Sequence, residues 1–97
     1  MIIELKGQKF PLRASMLAIQ EAEDKEKLQL HALDGIVDTS KMLYYFAKHG
    51  AREAGDKWTM TMAAWLDMIE LNQVTYLTTV LNGLVGGEDD AEGKKKD

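Results

Sequence analysis

Two short apolar-rich stretches open this chain on either side of a polar, glycine-containing one, and apolar residues then recur every three or four positions. Ile2-Ile3-Glu4-Leu5 and Lys9-Phe10-Pro11-Leu12 flank Lys6-Gly7-Gln8. β-Branched and aromatic residues on either side of a glycine-containing turn predict a short hairpin. Pro11 has no N–H to give a ladder, so the second strand is an edge or is about to end. A lone hairpin is marginal in water, so this one must lean on helices.

Ser15 is placed to cap a first helix, with Met16, Ile19 and Ala22 on one face and Glu21, Glu23, Asp24 and Glu26 elsewhere. The pattern loses its period near 25–28. A second helix is expected from about 32 to 54, where Leu33, Ile36, Val37, Leu43, Tyr44 and Ala47 recur at helical spacing. Gly35 weakens its start and Gly50 its end, each by up to about 1 kcal/mol relative to Ala. Gly55 suits the left-handed residue just past a helix. Thr61 caps the next helix, behind which Met62, Trp65, Leu66 and Ile69 form a stripe; Tyr76, Leu77, Val80, Leu81 and Leu84 continue after Asn72. Two helices over 61–71 and 73–85 are expected, with one bent helix as the rival, ended by Gly86-Gly87. The expected class is α+β, mostly α: a short N-terminal β-hairpin followed by a small bundle of three to four helices. One domain spans 1–87, and 88–97, with Ala91 as its sole apolar residue, is a disordered charged tail. No internal repeat is visible.

Composition narrows the class. At 97 residues and 45% apolar content the chain is one small globular domain, too short for a two-domain enzyme with a cofactor-binding half. Without cysteine it has no disulfides, thiolate zinc site or cysteine nucleophile. Met1-Ile2-Ile3-Glu4 meets a charge at once, unlike a signal peptide, and no apolar run approaches the roughly 20 residues of a membrane span. The expected location is the cytoplasm, with no membrane partner. The net charge of −4 speaks against a nucleic-acid partner. Half of it lies in the tail: residues 88–97 hold five acids and three lysines. The body is close to neutral.

Catalytic chemistry is hard to find. His31 and His49 are eighteen residues apart, with no third ligand or nucleophile at usable spacing, and read as surface histidines. Gly86-Gly87 follows a helix instead of leading into one, so it cannot cradle a phosphate. The pairs Glu23/Glu26 and Asp67/Glu70 read as solvated charge on polar faces, and the acids of 88–92 lack the ligand spacing of a calcium loop. The chain is therefore read as no enzyme, with no cofactor and no metal. Its aromatic and methionine residues say more. Trp58, Met60, Met62, Trp65 and Met68 fall within eleven residues, and methionine and tryptophan suit an adaptable apolar interface. The alternative is that they are core. Some are expected to stay exposed, because so short a chain cannot cover them all. Tyr44-Tyr45-Phe46 span nearly a helical turn, so Tyr45 or Phe46 is expected to face solvent or a partner. The candidate partner-binding residues are thus Tyr45, Phe46, Trp58, Met60, Met62, Trp65 and Met68, and self-association is a further option.

Taken in order, Lys9-Phe10-Pro11-Leu12-Arg13, then Met16-Leu17-Ala18-Ile19-Gln20-Glu21-Ala22-Glu23, then Met42-Leu43-Tyr44-Tyr45-Phe46-Ala47-Lys48-His49-Gly50, then Thr61-Met62-Ala63-Ala64-Trp65-Leu66-Asp67-Met68-Ile69-Glu70 resembles the tail assembly chaperones of long-tailed bacteriophages and prophages. The likeness covers 9–23 and 42–70 and rests on the order and spacing of the motifs. It departs from the family pattern at Ala63-Ala64, where glutamates are common, and at Trp65, where an aliphatic residue is usual. The resemblance implies a protein of the bacterial host cytoplasm that binds apolar helical segments of the tape measure protein. It would keep that protein soluble and help recruit tail tube subunits. It also implies a longer form made by frameshifting, for which Gly93-Lys94-Lys95-Lys96 is the matching stretch; an ordinary basic tail end is the equal alternative. The other functional readings are a small phage structural subunit of the head–tail connector type and a regulatory interaction module.

Overall fold

Lys6 and Gly7 both take positive φ, 49° and 77°, the pair of left-handed residues that a two-residue type I′ turn requires. In the computed structural model, which describes residues 1–86, this turn joins β1 (Ile2–Leu5) to β2 (Gln8–Pro11) as an antiparallel pair with Ile3 opposite Phe10 and Leu5 opposite Gln8. Gln8 is therefore strand, and the turn is one residue tighter than expected. Ile3, Leu5, Phe10 and Leu12 are buried, whereas Ile2, Glu4 and Lys9 face water. That alternation identifies a half-covered sheet.

Helix α1 (Met16–Glu26) starts where the Ser15 hydroxyl accepts the Ala18 N–H at 3.2 Å, and it ends at Lys27 in the left-handed conformation. Its buried residues are Ala18 and Ala22, while Met16 is 79% exposed. Of the stripe expected from sequence, Ala22 is buried and Ile19 packs half-buried against the core, but Met16 in the first turn is open to water and Ala18 is buried in its stead. Two alanines one turn apart let the helix lie close on its neighbour, which a methionine there would prevent.

That neighbour is α2 (Gly35–Glu53), preceded by a 3₁₀ turn at Leu30–Ala32 that delays its start. The Asp38 carboxylate accepts the Asp34 N–H at 2.9 Å and closes its first turn. At the far end Gly55 takes φ 84° while Asp56 N–H reaches Ala51 O at 2.8 Å, as expected for the residue past a helix. Helix α3 (Met62–Asp67), capped by the Thr61 hydroxyl on Ala64 N–H, is only six residues long. After it, Met68 and Ile69 bond back three residues and Leu71–Gln73 form a 3₁₀ turn. Helix α4 (Val74–Val85) then runs to Gly86. Two helices, not one bent helix, follow Thr61, and Asn72 sits in the 3₁₀ turn between them. The architecture is α+β, mostly α: a two-stranded antiparallel hairpin followed by four helices. The expected disordered tail at 88–97 and its lysine run lie outside the described residues.

Helix α2 is the hub, packed against β2, α1, α3 and α4. The chain leaving β2 docks on its backbone: Arg13 N–H donates to Phe46 O at 3.0 Å. A Cβ at Gly50 would sit 2.0 Å from Pro11 O and 2.6 Å from Pro11 C. Gly50 is therefore there to admit a neighbouring backbone, and its cost in helix propensity is secondary. Gly50→Ala should lower stability by about 2 kcal/mol or more, read from the urea midpoint, because a carbonyl cannot rotate out of the way. Gly83→Ala, whose new methyl would meet only the flexible tip of Met1, should be neutral or stabilising.

Candidate functional site

The aromatic residues assemble into one cluster. The rings of Phe10, Tyr44, Trp58 and Trp65 stand 5.3–6.2 Å apart, mostly edge to face, the arrangement ring quadrupoles favour. Each polar tip is satisfied. Trp65 Nε1–H donates to Ser40 O at 2.9 Å, and Trp58 Nε1–H donates to Tyr44 Oη at 3.3 Å. Tyr44 O–H donates in turn to Met60 O at 2.7 Å, tying the connection after α2 to the middle of that helix. Tyr45 O–H donates to the Glu26 carboxylate at 2.9 Å. Its burial, together with the hydrogen bond to Glu26 and that residue's charge, raises the phenol well above its ordinary value.

These positions correct the expected binding surface. Tyr45, Phe46 and Trp65 are buried, with Phe46 and Trp65 fully so. The expectation that Tyr45 or Phe46 would face outward assumed a helix covered on one side. Helix α2 is covered by four elements, so all three consecutive aromatics find protein. Trp58, Met60, Met62 and Met68 are half-buried and pack against the same core. They border the cluster and do not form a separate face.

The second assembly is polar. Glu21 of α1 accepts from Lys48 Nζ at 2.5 Å and from His49 Nε2 at 2.6 Å, and Lys25 Nζ lies 3.3 Å away. His49, read from sequence as a surface residue, is buried, whereas His31 is exposed. Burial alone would raise the Glu21 carboxyl. The hydrogen bonds from Lys48, His49 and Lys25 and the charge of Lys48 outweigh it and bring the group down to about 2. This is a clamp between α1 and α2, with no hydroxyl or thiol among its members to act as nucleophile. Among the described residues no group of three or more His, Asp or Glu could hold a metal ion, and no helix is long and apolar enough to cross a membrane.

The apolar surface that is open lies elsewhere. The first turns of α2 and the segment closing α3 wall a groove of about 170 Å³ lined by Ile36, Val37, Ser40, Leu66, Ile69, Glu70 and Leu71. Val37 is 54% exposed and Leu71 87%. Sequence periodicity assigned Val37 to the covered stripe and passed over Leu71. No local signal marks it: Ile36 and Val37 are adjacent apolar residues of α2, as are Tyr45 and Phe46, which are both buried. Met16 and Leu17 make a second exposed apolar patch, on a shallow depression lined by α1 residues alone. Leu17 also borders a mostly polar depression between α1 and α2, lined by Glu21, Lys25, His49 and Arg52. Set against family models, curated proteins and solved structures, the chain finds no match in any of the three.

Trp65→Ala should cost roughly 3–5 kcal/mol and leave the domain largely unfolded by circular dichroism at 37 °C, the outcome of a core role. The Glu21 clamp sets an acid limit. A carboxyl lowered on folding stabilises the fold above its ordinary value of 4.5 and stops doing so as pH falls toward 2. Unfolding free energy should therefore drop by roughly 3 kcal/mol across that window, measured by urea titration, and Glu21→Gln should flatten that part of the curve.

Proposed function

We propose that this chain is a tail assembly chaperone of the long-tailed phage type. It is a non-enzymatic module of the bacterial cytoplasm that binds apolar helical segments of a tape measure protein, keeps it soluble and helps recruit tail tube subunits. The motif order over 9–23 and 42–70 supports the assignment. The observation that carries it is the groove, where Val37 and Leu71 are held open to water beside Ile36, Leu66 and Ile69. Single exposed apolar residues are ordinary; adjoining ones lining a concavity mark a binding surface. An amphipathic helix laid in such a groove is held by anchors at i, i+3, i+4 and i+7. The binding face is thus this groove, with the half-buried Met68 close by in sequence, and the aromatic cluster beneath is its support.

Co-expression with a tape measure protein encoded beside the gene tests this. The wild-type chain should keep that protein in the soluble fraction. Val37→Glu and Leu71→Glu should each cut the soluble yield about tenfold or more, as expected for an interface anchor worth 1.5–3 kcal/mol, with little change in their own melting temperature. If both variants solubilise as well as wild type, or the chain is found in purified virions at stoichiometric levels, the reading falls and a structural subunit takes its place.

A further inference from the structure

The groove is apolar except at its deepest point. Ser40 is the most buried of the residues that line it, 2% exposed where Val37 is 54% and Leu71 87%. Ile36 and Ser40 lie one turn apart on α2, and a helical Cβ leans toward the N-terminus, so the Ser40 side chain is directed along the groove toward Ile36. Its backbone carbonyl is occupied, accepting Trp65 Nε1–H at 2.9 Å. A hydroxyl inside a helix often turns back to the carbonyl four residues earlier, and the adjacent Thr39 does so, donating to Gly35 O at 3.1 Å. Among the described residues the Ser40 hydroxyl has neither this partner nor another. The charged residue of the lining, Glu70, is held by Lys6 Nζ at 3.1 Å.

We propose that the groove seats a tyrosine side chain presented by an amphipathic helix of another protein, its ring among Ile36, Leu66 and Ile69 and its hydroxyl on Ser40 Oγ. At about 170 Å³ the space is comparable to a cavity of roughly 150 Å³, which accepts benzene, so one phenol ring fills it. A hydroxyl in an open groove is served by solvent. A leucine or phenylalanine anchor displaces that solvent and leaves the hydroxyl orphaned, whereas the tyrosine hydroxyl, donor and acceptor at once, satisfies it in either orientation. A second copy of this chain offers no such anchor. Of its three tyrosines, Tyr44 and Tyr45 are buried and the Tyr76 hydroxyl holds Glu4 N–H at 3.0 Å. The inference rests on the reading of the chain as a partner-holding module and specifies the anchor it selects.

Two amphipathic helical peptides of about 18 residues, identical except for tyrosine or phenylalanine at the central anchor, test it. Each is titrated into the full chain by fluorescence anisotropy, and its site is mapped by amide chemical shifts. The tyrosine peptide should bind about tenfold more tightly, the size of one orphaned buried hydroxyl, with shifts centred on Ile36, Val37, Ser40 and Leu66. Ser40→Ala removes the orphan. It should bind the phenylalanine peptide at least as tightly as wild type does and shrink the margin between the peptides to about twofold or less. Alanine suits a helix interior, and the comparison on the wild-type chain decides the matter should that variant be unstable. Equal binding of the two peptides to wild type, an unchanged margin in folded Ser40→Ala, or shifts centred on Met16 and Leu17 overturns the proposal. If neither peptide binds while tape measure protein is still solubilised, the proposal falls and the holding function stands. If solubilisation fails as well, both fall.

Discussion

Everything in this fold follows from the need to enclose α2. The helix carries Ser40, Met42, Leu43, Tyr44, Tyr45, Phe46, Ala47, His49, Gly50 and Ala51 as buried residues, and the unbroken run from Met42 to Ala47 alone goes right round its axis. No single neighbour can cover a full circumference, so the other elements each take a sector. The chain leaving β2 takes the sector at Gly50, where the absence of a side chain admits a carbonyl. Helix α1 takes the sector of Tyr45, Lys48 and His49 through Glu26 and Glu21. Trp65 of α3 and Trp58 before it take the sector of Ser40 and Tyr44. Helix α4 adds Leu77, Val80 and Leu81 to the same core.

Polar groups are as much a part of this enclosure as apolar ones. A buried Trp or Tyr leaves an N–H or O–H that costs free energy unless it is bonded. Here those groups bond to backbone carbonyls, to one another or to Glu26, and so turn a desolvation cost into fixed register between segments far apart in sequence. The hairpin is treated in the same way, its outer strand offering Glu4 N–H to the Tyr76 hydroxyl at 3.0 Å. This joins the first strand to the last helix and occupies an edge that would otherwise be open to pairing.

Local signals in the sequence proved sufficient wherever the structure is decided locally. The hairpin, the caps at Ser15 and Thr61, the left-handed Gly55 and the break near Asn72 all arise from interactions within a few residues, and all were legible. Burial is decided by neighbours that are distant in sequence, and there the reading held for Leu43, Tyr44, Ala47, Trp65, Leu77, Val80 and Leu81 but failed elsewhere. Periodicity placed Met16 inside and Tyr45 or Phe46 outside because it takes a helix to have one covered face; α1 does, but on Ala18 and Ala22, and α2 has several. His49 looked like a surface residue because its partner, Glu21, lies on another helix. The concentration of Trp and Met in 58–68 was rightly seen as unusual, but its cause is the sector of α2 that this short stretch must fill.

The groove is the remainder of that geometry. With only six residues, α3 covers the middle of α2 and stops short of its first turns, and the chain then spends Met68 to Gln73 in three-residue bonds and a 3₁₀ turn before α4 can begin. Leu66 and Ile69 therefore meet Ile36 and Val37 only across that groove. Polar residues at positions 37 and 71 would also have served a monomer, since neither side chain adds much buried area to the fold. Val37 and Leu71 are thus an apolar pair left open to water where the cover of α2 ends, a surface the fold does not need for its own stability.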